Sequence, residues 1–159
     1  MYQKAAEQGY AAAQSNLGHC FENGIGTDKN TEKAVELYQK AAEQGYAAAQ
    51  TCLGYCYQNG IGVEKDAQKA VDLYQKAVEQ DYAAAQNNLG QCYMTGSGVK
   101  KDTHRAIYLY REAARQGNAD ALNYLKDNKI KRGVSNSFTS QNNQQQKKIL
   151  HPRCKSWKT

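Results

Sequence analysis

Long apolar runs are missing from this sequence. No stretch of its 159 residues approaches the roughly 20 apolar residues that a membrane helix needs, and Met1 leads straight into repeat sequence without an apolar leader. No Asn-x-Ser/Thr acceptor for N-glycosylation occurs, and proline is present once. The five cysteines are an odd number without a secretion signal, which favours reduced thiols. We therefore predict a cytoplasmic protein with unpaired cysteines and no membrane span.

Net charge is nearly absent from most of the chain. Residues 1–126 hold 13 of the 21 Lys and Arg and 14 of the 15 Asp and Glu, which leaves −1. Residues 127–159 hold the remainder and carry +7. Because the basic excess lies in this tail, we predict no nucleic-acid binding by the folded body. The tail is also rich in Asn and Gln with little to bury, so it is predicted to be disordered.

A repeat of 36 residues dominates what is present. The segment YQKAAEQGYAAAQ stands at residues 2–14 and again at 38–50, recurs as YQKAVEQDYAAAQ at 74–86, and fades into YREAARQGNADAL from Tyr110. The blocks that begin at Tyr2 and Tyr38 are identical at 25 of 36 positions. A fixed period of this size indicates a solenoid, in which each unit buries its apolar face against its neighbours.

The period divides the chain into an array at residues 1–126 and a tail at 127–159. Full repeats are predicted near residues 10–45, 46–81 and 82–117, after a partial first repeat and before a last, degenerate helix at 118–126. Because the chain enters its own repeat in the middle, we expect a fragment of a longer array.

Each full repeat contains two predicted helices, which we name helix A and helix B. In the first copy, helix A spans about residues 10–22 and helix B about residues 31–44, each with an apolar stripe at helical spacing. Glycine inside a helix costs about 1 kcal/mol relative to alanine. Its recurrence inside helix A therefore predicts close approach of a neighbouring helix at Gly18, Gly54 and Gly90. Helix B is predicted to begin at the N-cap residues Asn30, Asp66 and Asp102.

These landmarks resemble the Sel-one-like repeat (SLR) family, relatives of the tetratricopeptide hairpins. Helix A carries an alanine, Leu-Gly and then Cys next to an aromatic residue, followed by Gly-x-Gly and a helix B with Lys-Ala, Leu-Tyr and Ala-Ala or Ala-Val. The resemblance implies an all-α fold, a right-handed α-solenoid of antiparallel helix pairs with helix A on the concave side. It also implies a non-enzymatic scaffold or adaptor, often in signalling, that binds a protein or peptide.

Two alternatives to that function stay open. The first is a regulatory repeat segment of a larger signalling protein, such as a kinase fusion. The second is a hydrolase of the secreted, cysteine-paired repeat type. We disfavour the hydrolase because this chain lacks the second cysteine that those relatives carry in each repeat.

No catalytic residue, metal site or cofactor is predicted. Three cysteines recur one repeat apart, at Cys20, Cys56 and Cys92, and this separation exceeds the roughly 7 Å Cα–Cα limit of a disulfide. We therefore interpret them as small core residues. The three histidines occupy unrelated repeat positions without a triad-like partner. The Gly-Ile-Gly loops lack the strand and the Gly-Lys-Ser/Thr of a phosphate loop.

The positions that change between copies are the candidate partner-binding residues. On helix A they follow i, i+4 and i+7 on the side opposite Leu17, and we call them the variable stripe. A peptide-binding groove along the concave face is the functional hypothesis, and surface drift without function is the alternative. The stripe consists of Ser15, His19, Glu22, Thr51, Tyr55, Gln58, Asn87, Gln91 and Met94.

Overall fold

Eight α-helices form the secondary structure of the part of the chain that the structure describes. This computed structural model describes residues 2–131, with side chains for residues 4–128. The helices are α1 (Tyr2–Glu7), α2 (Ala11–Asn23), α3 (Thr31–Glu43), α4 (Ala47–Asn59), α5 (Ala67–Val78), α6 (Ala83–Thr95), α7 (Thr103–Arg115) and α8 (Ala119–Lys131). The predictions for residues 132–159 lie outside the described residues.

The helices pack as successive A–B hairpins. Helix α2 pairs with α3, α4 with α5 and α6 with α7, while α1 is the end of a helix B and α8 is a helix A. Each helix B also packs against the helix A that follows it. Helix α2 contacts α4 directly, whereas the neighbouring B helices have at most marginal contact. We call the side of the stack formed by the A helices the inner side, and its concave shape stays a prediction. The prediction of an all-α solenoid is confirmed.

The predicted start of each helix B is confirmed by its capping bonds. A side-chain oxygen of Asn30 accepts a hydrogen bond from the Lys33 N–H at 2.8 Å, and Asp66 and Asp102 accept equivalent bonds at 3.0 Å. Such a cap satisfies an amide that the helix itself cannot, and it contributes about 1 kcal/mol. The helix A starts differ, because the N-cap tyrosines of α2, α4 and α6 make no capping side-chain bond. Asn118, the equivalent residue before α8, accepts one from the Ala121 N–H at 3.0 Å.

The core lies between the two helices of each hairpin. Tyr38 and Tyr74 are both 0% exposed. A Cβ added to Gly54 would lie 2.7 Å from Tyr74 Cε1 and 3.2 Å from the Ala70 carbonyl oxygen. The predicted close approach at the helix A glycines is therefore confirmed, and the approaching element is helix B of the same hairpin.

A second set of glycines joins neighbouring hairpins. A Cβ added to Gly62 would overlap the backbone of Thr31, in the first turn of the preceding helix B, and one added to Gly98 would overlap Ala67. The Gly-x-Gly loop is thus also a contact between repeats.

A buried glutamine on each of α2, α4 and α6 bonds to residues of the neighbouring helices and helix ends. The Gln50 amide donates to the Ala42 carbonyl of the preceding helix B at 3.3 Å, and its oxygen accepts from Gln80 Nε2 at 3.0 Å. Gln14 makes the same two bonds one repeat earlier. A buried amide needs these partners, since an unpaired one costs about 1–3 kcal/mol. This role was not predicted, although the glutamine follows the alanine run in three copies.

The junction between α5 and α6 departs from this pattern at Asp81. This residue has φ of +57° and stands where the other copies have glycine, and aspartate visits the left-handed region more readily than most residues. Its Oδ1 accepts hydrogen bonds from Gln86 Nε2 at 2.7 Å and from Gln116 Nε2 at 3.0 Å. Here a carboxylate takes the place of the backbone carbonyl used by the earlier copies.

Helix α8 is longer than predicted. It continues past Lys126 to Lys131. Helices α2, α4 and α6 end at a left-handed glycine, and the equivalent position in the fourth copy is Arg132. The stop signal of the earlier copies is therefore missing, so the first residues assigned to the tail are helical. Within residues 2–131, no helix is long and apolar enough to cross a membrane.

Candidate partner-binding surface

The variable stripe falls into three rows across the stack. Because the repeat is 36 residues in every copy, each row contains one residue from each of α2, α4 and α6. The rows begin at Ser15, His19 and Glu22. They differ in how far their side chains reach the surface, and that difference decides what each could contact.

The row that begins at Ser15 is mostly covered. Ser15 and Thr51 are buried, and Asn87 is half-buried. Thr51 Oγ1 donates to the Ala47 carbonyl of its own helix at 2.8 Å. A hydroxyl bonded in this way is satisfied without solvent. The burial of Ser15 and Thr51 leaves little of this row accessible, and its part in partner binding stays a prediction.

The row that begins at Glu22 supports the core tyrosines. Tyr38 Oη donates to Glu22 Oε2 at 2.7 Å, and Tyr74 Oη donates to Gln58 Oε1 at 2.7 Å. Burial raises the pKa of Tyr38, and the Glu22 carboxylate raises it further because both disfavour the phenolate. These two stripe residues therefore have a structural role as well as partial exposure.

Met94 occupies the position of Glu22 and Gln58 in the third hairpin. Its side chain has a thioether in place of their oxygen acceptor, and it packs against the last core cluster. Tyr110, the equivalent of Tyr38, instead stacks on Tyr124 of α8 with ring centroids 4.2 Å apart. This row is therefore polar in the first two hairpins and apolar in the third.

The middle row reaches the surface. His19 and Tyr55 are half-buried, and Gln91 is exposed. Burial raises the pKa of the Tyr74 hydroxyl, and the nearby Tyr55 adds to the increase, whereas a hydrogen bond with Asn88 opposes it. Tyr74 thus has polar neighbours on both α4 and α6. Asn88 was missed by the sequence analysis, although its position also varies, being Asn16 in the first copy and Cys52 in the second.

Two of the three repeated cysteines, Cys56 and Cys92, are core residues, as predicted. Cys56 and Cys92 are buried free thiols, and Cys20 is a half-buried one. Burial raises the pKa of Cys56 to about 12 and that of Cys92 to about 11, so both stay protonated and unreactive at neutral pH. Within the described residues, no three His, Cys, Asp or Glu side chains gather in a way that could hold a metal ion.

Cys52 corrects the prediction of reduced thiols throughout. It is disulfide-bonded. The prediction relied on the odd number of cysteines, which requires at least one thiol without a partner in the chain but leaves the others free to pair. The cytoplasmic location rested partly on unpaired cysteines, and it stays a prediction.

The sequence profile of the Sel1 repeat matches residues 1–10, 11–46, 47–82 and 83–118. These segments cover more than half of the chain, in the register of the hairpins described above. This chain belongs to the Sel1 repeat family. The resemblance inferred from the glycine, alanine and tyrosine landmarks is confirmed. Sel1 repeats commonly serve as protein-interaction scaffolds and are typically non-catalytic.

Three solved structures illustrate the similarity. A Sel1 repeat protein from Oxalobacter formigenes is 41% identical with a TM-score of 0.74, over 78% of this chain and 49% of that protein. The protective antigen c5321 of uropathogenic Escherichia coli, which has an SLR fold, is 38% identical with a TM-score of 0.76, over 84% of this chain and 28% of that protein. Cysteine rich protein B of Helicobacter pylori is 30% identical with a TM-score of 0.61, over 76% of this chain and 92% of that protein.

The chain thus spans about half the length of the Oxalobacter protein and 28% of c5321. No curated protein sequence matches it significantly.

Proposed function

We propose that this Sel1 repeat chain is a non-enzymatic adaptor that binds a peptide along the inner side of its A helices. The observation that carries the proposal is the alignment of the middle row. His19, Tyr55 and Gln91 lie in one register on three successive helices, so a single extended chain crossing the stack would meet all three.

The chemistry of the stripe indicates the class of peptide. Of its nine residues, Glu22 alone carries a formal charge at neutral pH, and most of the others offer amide or hydroxyl groups. Such groups bond to the peptide backbone and to neutral side chains. Interfaces favour Tyr and Met, which are present as Tyr55 and Met94. The ligand is therefore a neutral, polar peptide with one apolar side chain directed at Met94.

Pre-organisation supports the same proposal. Gln58 is held by Tyr74, and Glu22 by Tyr38, at 2.7 Å in each pair. Side chains that are fixed before binding lose little conformational entropy when a ligand arrives. Ser15 and Thr51 are buried, so they take no part in the contact.

A peptide selection tests the proposal. Random peptides displayed on phage are selected on the immobilised chain, and the affinity of the best sequence is measured for wild type and for Tyr55→Ala with Met94→Ala. We expect Kd to rise at least about fivefold, the equivalent of 1 kcal/mol. The matched control is Gln39→Ala with Gln75→Ala, two exposed residues on α3 and α5.

The control should bind like wild type, and circular dichroism should confirm that both variants fold. If the inner-side variant binds normally while the control loses binding, the outer side of the stack is the working surface and the groove proposal is wrong.

Of the alternatives, the hydrolase finds no support in the described repeats. The cysteine that recurs in register is a free thiol at positions 20, 56 and 92, and Cys52 is an additional cysteine of the second repeat. Pairing within each hairpin, the feature expected of that class, is therefore absent from these three hairpins.

A further inference from the structure

The outer surface of the third hairpin differs in charge from the other two. Five positions, in the loop and on the outer side of helix B, recur in register. In the first copy four of the five are negative and Gln39 is neutral; the residues are Asp28, Glu32, Glu36, Gln39 and Glu43. In the second they carry three, as Glu64, Gln68, Asp72, Gln75 and Glu79. In the third they carry three positive charges and a neutral histidine, as Lys100, His104, Tyr108, Arg111 and Arg115.

The third set forms one continuous surface, which we call the α7 face. Its four helical members follow i, i+4, i+7 and i+11, so they share one side of α7. All five are exposed, and Tyr108 is 62% exposed, although large apolar side chains in this fold are mostly covered. At its N-terminal end, Lys100 and Arg105 border a shallow depression of about 860 Å³. The face is thus basic along its length with an aromatic ring at its middle.

The charges of the α7 face are only partly neutralised within the protein. Glu112, which replaces a lysine of the earlier copies, pairs with Arg115 at 2.7 Å, yet the Arg115 side chain stays 68% exposed. Lys100 and Arg111 form no ion pair with another described residue. Two full positive charges therefore face solvent beside an exposed tyrosine.

We propose that the α7 face binds an acidic segment of a partner protein. Arg and Tyr are the residues that most often dominate protein interfaces, and here they lie side by side on one helix. Charge complementarity requires carboxylates in the partner, spaced to meet Arg111 and Arg115. Helix α7 is 13 residues long, about 20 Å, which sets the length of segment that fits.

The neighbouring helices argue for a short acidic protein segment over a long polyanion. The equivalent faces of α3 and α5 carry negative charge, so a nucleic acid extending across the stack would meet repulsion on both. A segment aligned along α7 avoids them. This surface is separate from the inner side of the A helices, so the proposal does not depend on the peptide groove, and the chain would join two partners.

The test uses a fluorescein-labelled Ala/Glu peptide of about three to four helical turns with Glu at i, i+4, i+7 and i+11. Binding to the full chain is followed by fluorescence anisotropy. We expect binding that weakens with added salt, and a Gln-for-Glu version of the peptide that binds at least about tenfold more weakly. The variant Tyr108→Asp, Arg111→Gln, Arg115→Glu carries the residues that α5 has at these positions, so it should fold normally and lose binding by the same factor.

The first copy supplies the matched gain-of-function variant. Adding Glu36→Tyr, Gln39→Arg and Glu43→Arg to the triple variant places the residue types of Tyr108, Arg111 and Arg115 at the equivalent positions of the first copy. Binding of the acidic peptide should then return.

Three results would overturn the proposal. Unchanged peptide binding by the triple variant would remove the α7 face from the contact. Tighter binding of single-stranded DNA or of phosphatidylserine vesicles than of the Glu peptide, lost in the triple variant, would assign the face to phosphate. Self-association of the wild type that the triple variant abolishes, without peptide binding, would assign it to a second copy of this chain.

Discussion

Glu22 and Tyr38 show how one hydrogen bond serves both the core and a candidate binding surface. The Tyr38 ring is 0% exposed and its hydroxyl donates to Glu22 Oε2 at 2.7 Å, at the border between core and solvent. A fully buried tyrosine needs an acceptor for its hydroxyl. The variable stripe is therefore not free to change at random, since some of its members satisfy the layer beneath.

This bond gives a prediction about stability. Glu22→Leu leaves the Tyr38 hydroxyl without its acceptor, so we expect the free energy of unfolding to fall by about 1–3 kcal/mol. Adding Tyr38→Phe removes the unsatisfied donor, and the double variant should lose less than the sum of the two single changes. Urea denaturation of the four proteins at neutral pH measures the coupling. Strictly additive losses would show that the bond contributes nothing.

At this scale the sequence predicts the core better than the candidate site. Leu53 and Ala49 follow the helical period, and periodicity reports burial directly. Variation between copies does not report exposure, because a short hydroxyl residue such as Thr51 is buried at little cost when it bonds to its own helix. The role of Gln58 was equally hidden, since its partner Tyr74 lies on another helix.

At the scale of elements, the loops between helices A and B also join one hairpin to the next. Gly62 packs its α-carbon against the backbone of Thr31, at the start of the preceding helix B. The equivalent Gly26 of the first loop has nothing within 4 Å of the position of a Cβ. Both have positive φ, +66° and +68°, so the two sites differ in their surroundings and not in their backbone.

That pair isolates the energy of the contact between repeats. Gly62→Ala and Gly26→Ala should share the cost of a left-handed alanine, about 1–2 kcal/mol. Gly62→Ala should lose a further 1–3 kcal/mol, roughly the usual cost of overpacking, because the atoms it meets are backbone atoms that cannot move alone. The measurement is the difference between the two variants in urea midpoint. Equal losses would mean that the loop touches the preceding hairpin without supporting it.

Helices and their starts could be predicted from the sequence, whereas contacts between hairpins could not. An Asn or Asp before an apolar period marks a helix start by its local chemistry. The contact of Gly62 with Thr31 joins residues 31 positions apart, and no local rule distinguishes it from an ordinary turn glycine. The end of α8 was also misplaced, because the glycine that stops the earlier A helices has no counterpart there.

At the scale of the whole molecule, the core carries a row of buried groups that resist deprotonation. Burial raises the pKa values of Tyr38 and Tyr74 and raises that of Tyr110 to about 12. Burial also raises the pKa values of the Cys56 and Cys92 thiols. Three successive hairpins thus share one response to alkali.

The protein should therefore lose stability as pH rises above about 9. In the unfolded chain these groups titrate at their ordinary values, 9.0 for Cys and 10.0 for Tyr, whereas in the folded chain they hold their protons to higher pH. Their contribution to stability is complete below pH 9 and falls as the unfolded state alone releases protons. Urea midpoints between pH 7 and pH 11, read by circular dichroism, test this. A midpoint that stays constant to pH 11 would contradict the prediction.

The Asp81 carboxylate breaks the translational symmetry of the array. Blocks that begin at Tyr2 and Tyr38 share 25 of 36 residues, so a hairpin docked one repeat out of step would find nearly native neighbours. Near-degenerate alignments of this kind are what make a folding landscape rough. Among the described junctions, the one at Asp81 gives a carboxylate to both Gln86 and Gln116. A misaligned chain cannot form those charge-assisted bonds. The single replacement of glycine by Asp81 therefore favours one alignment of the whole stack.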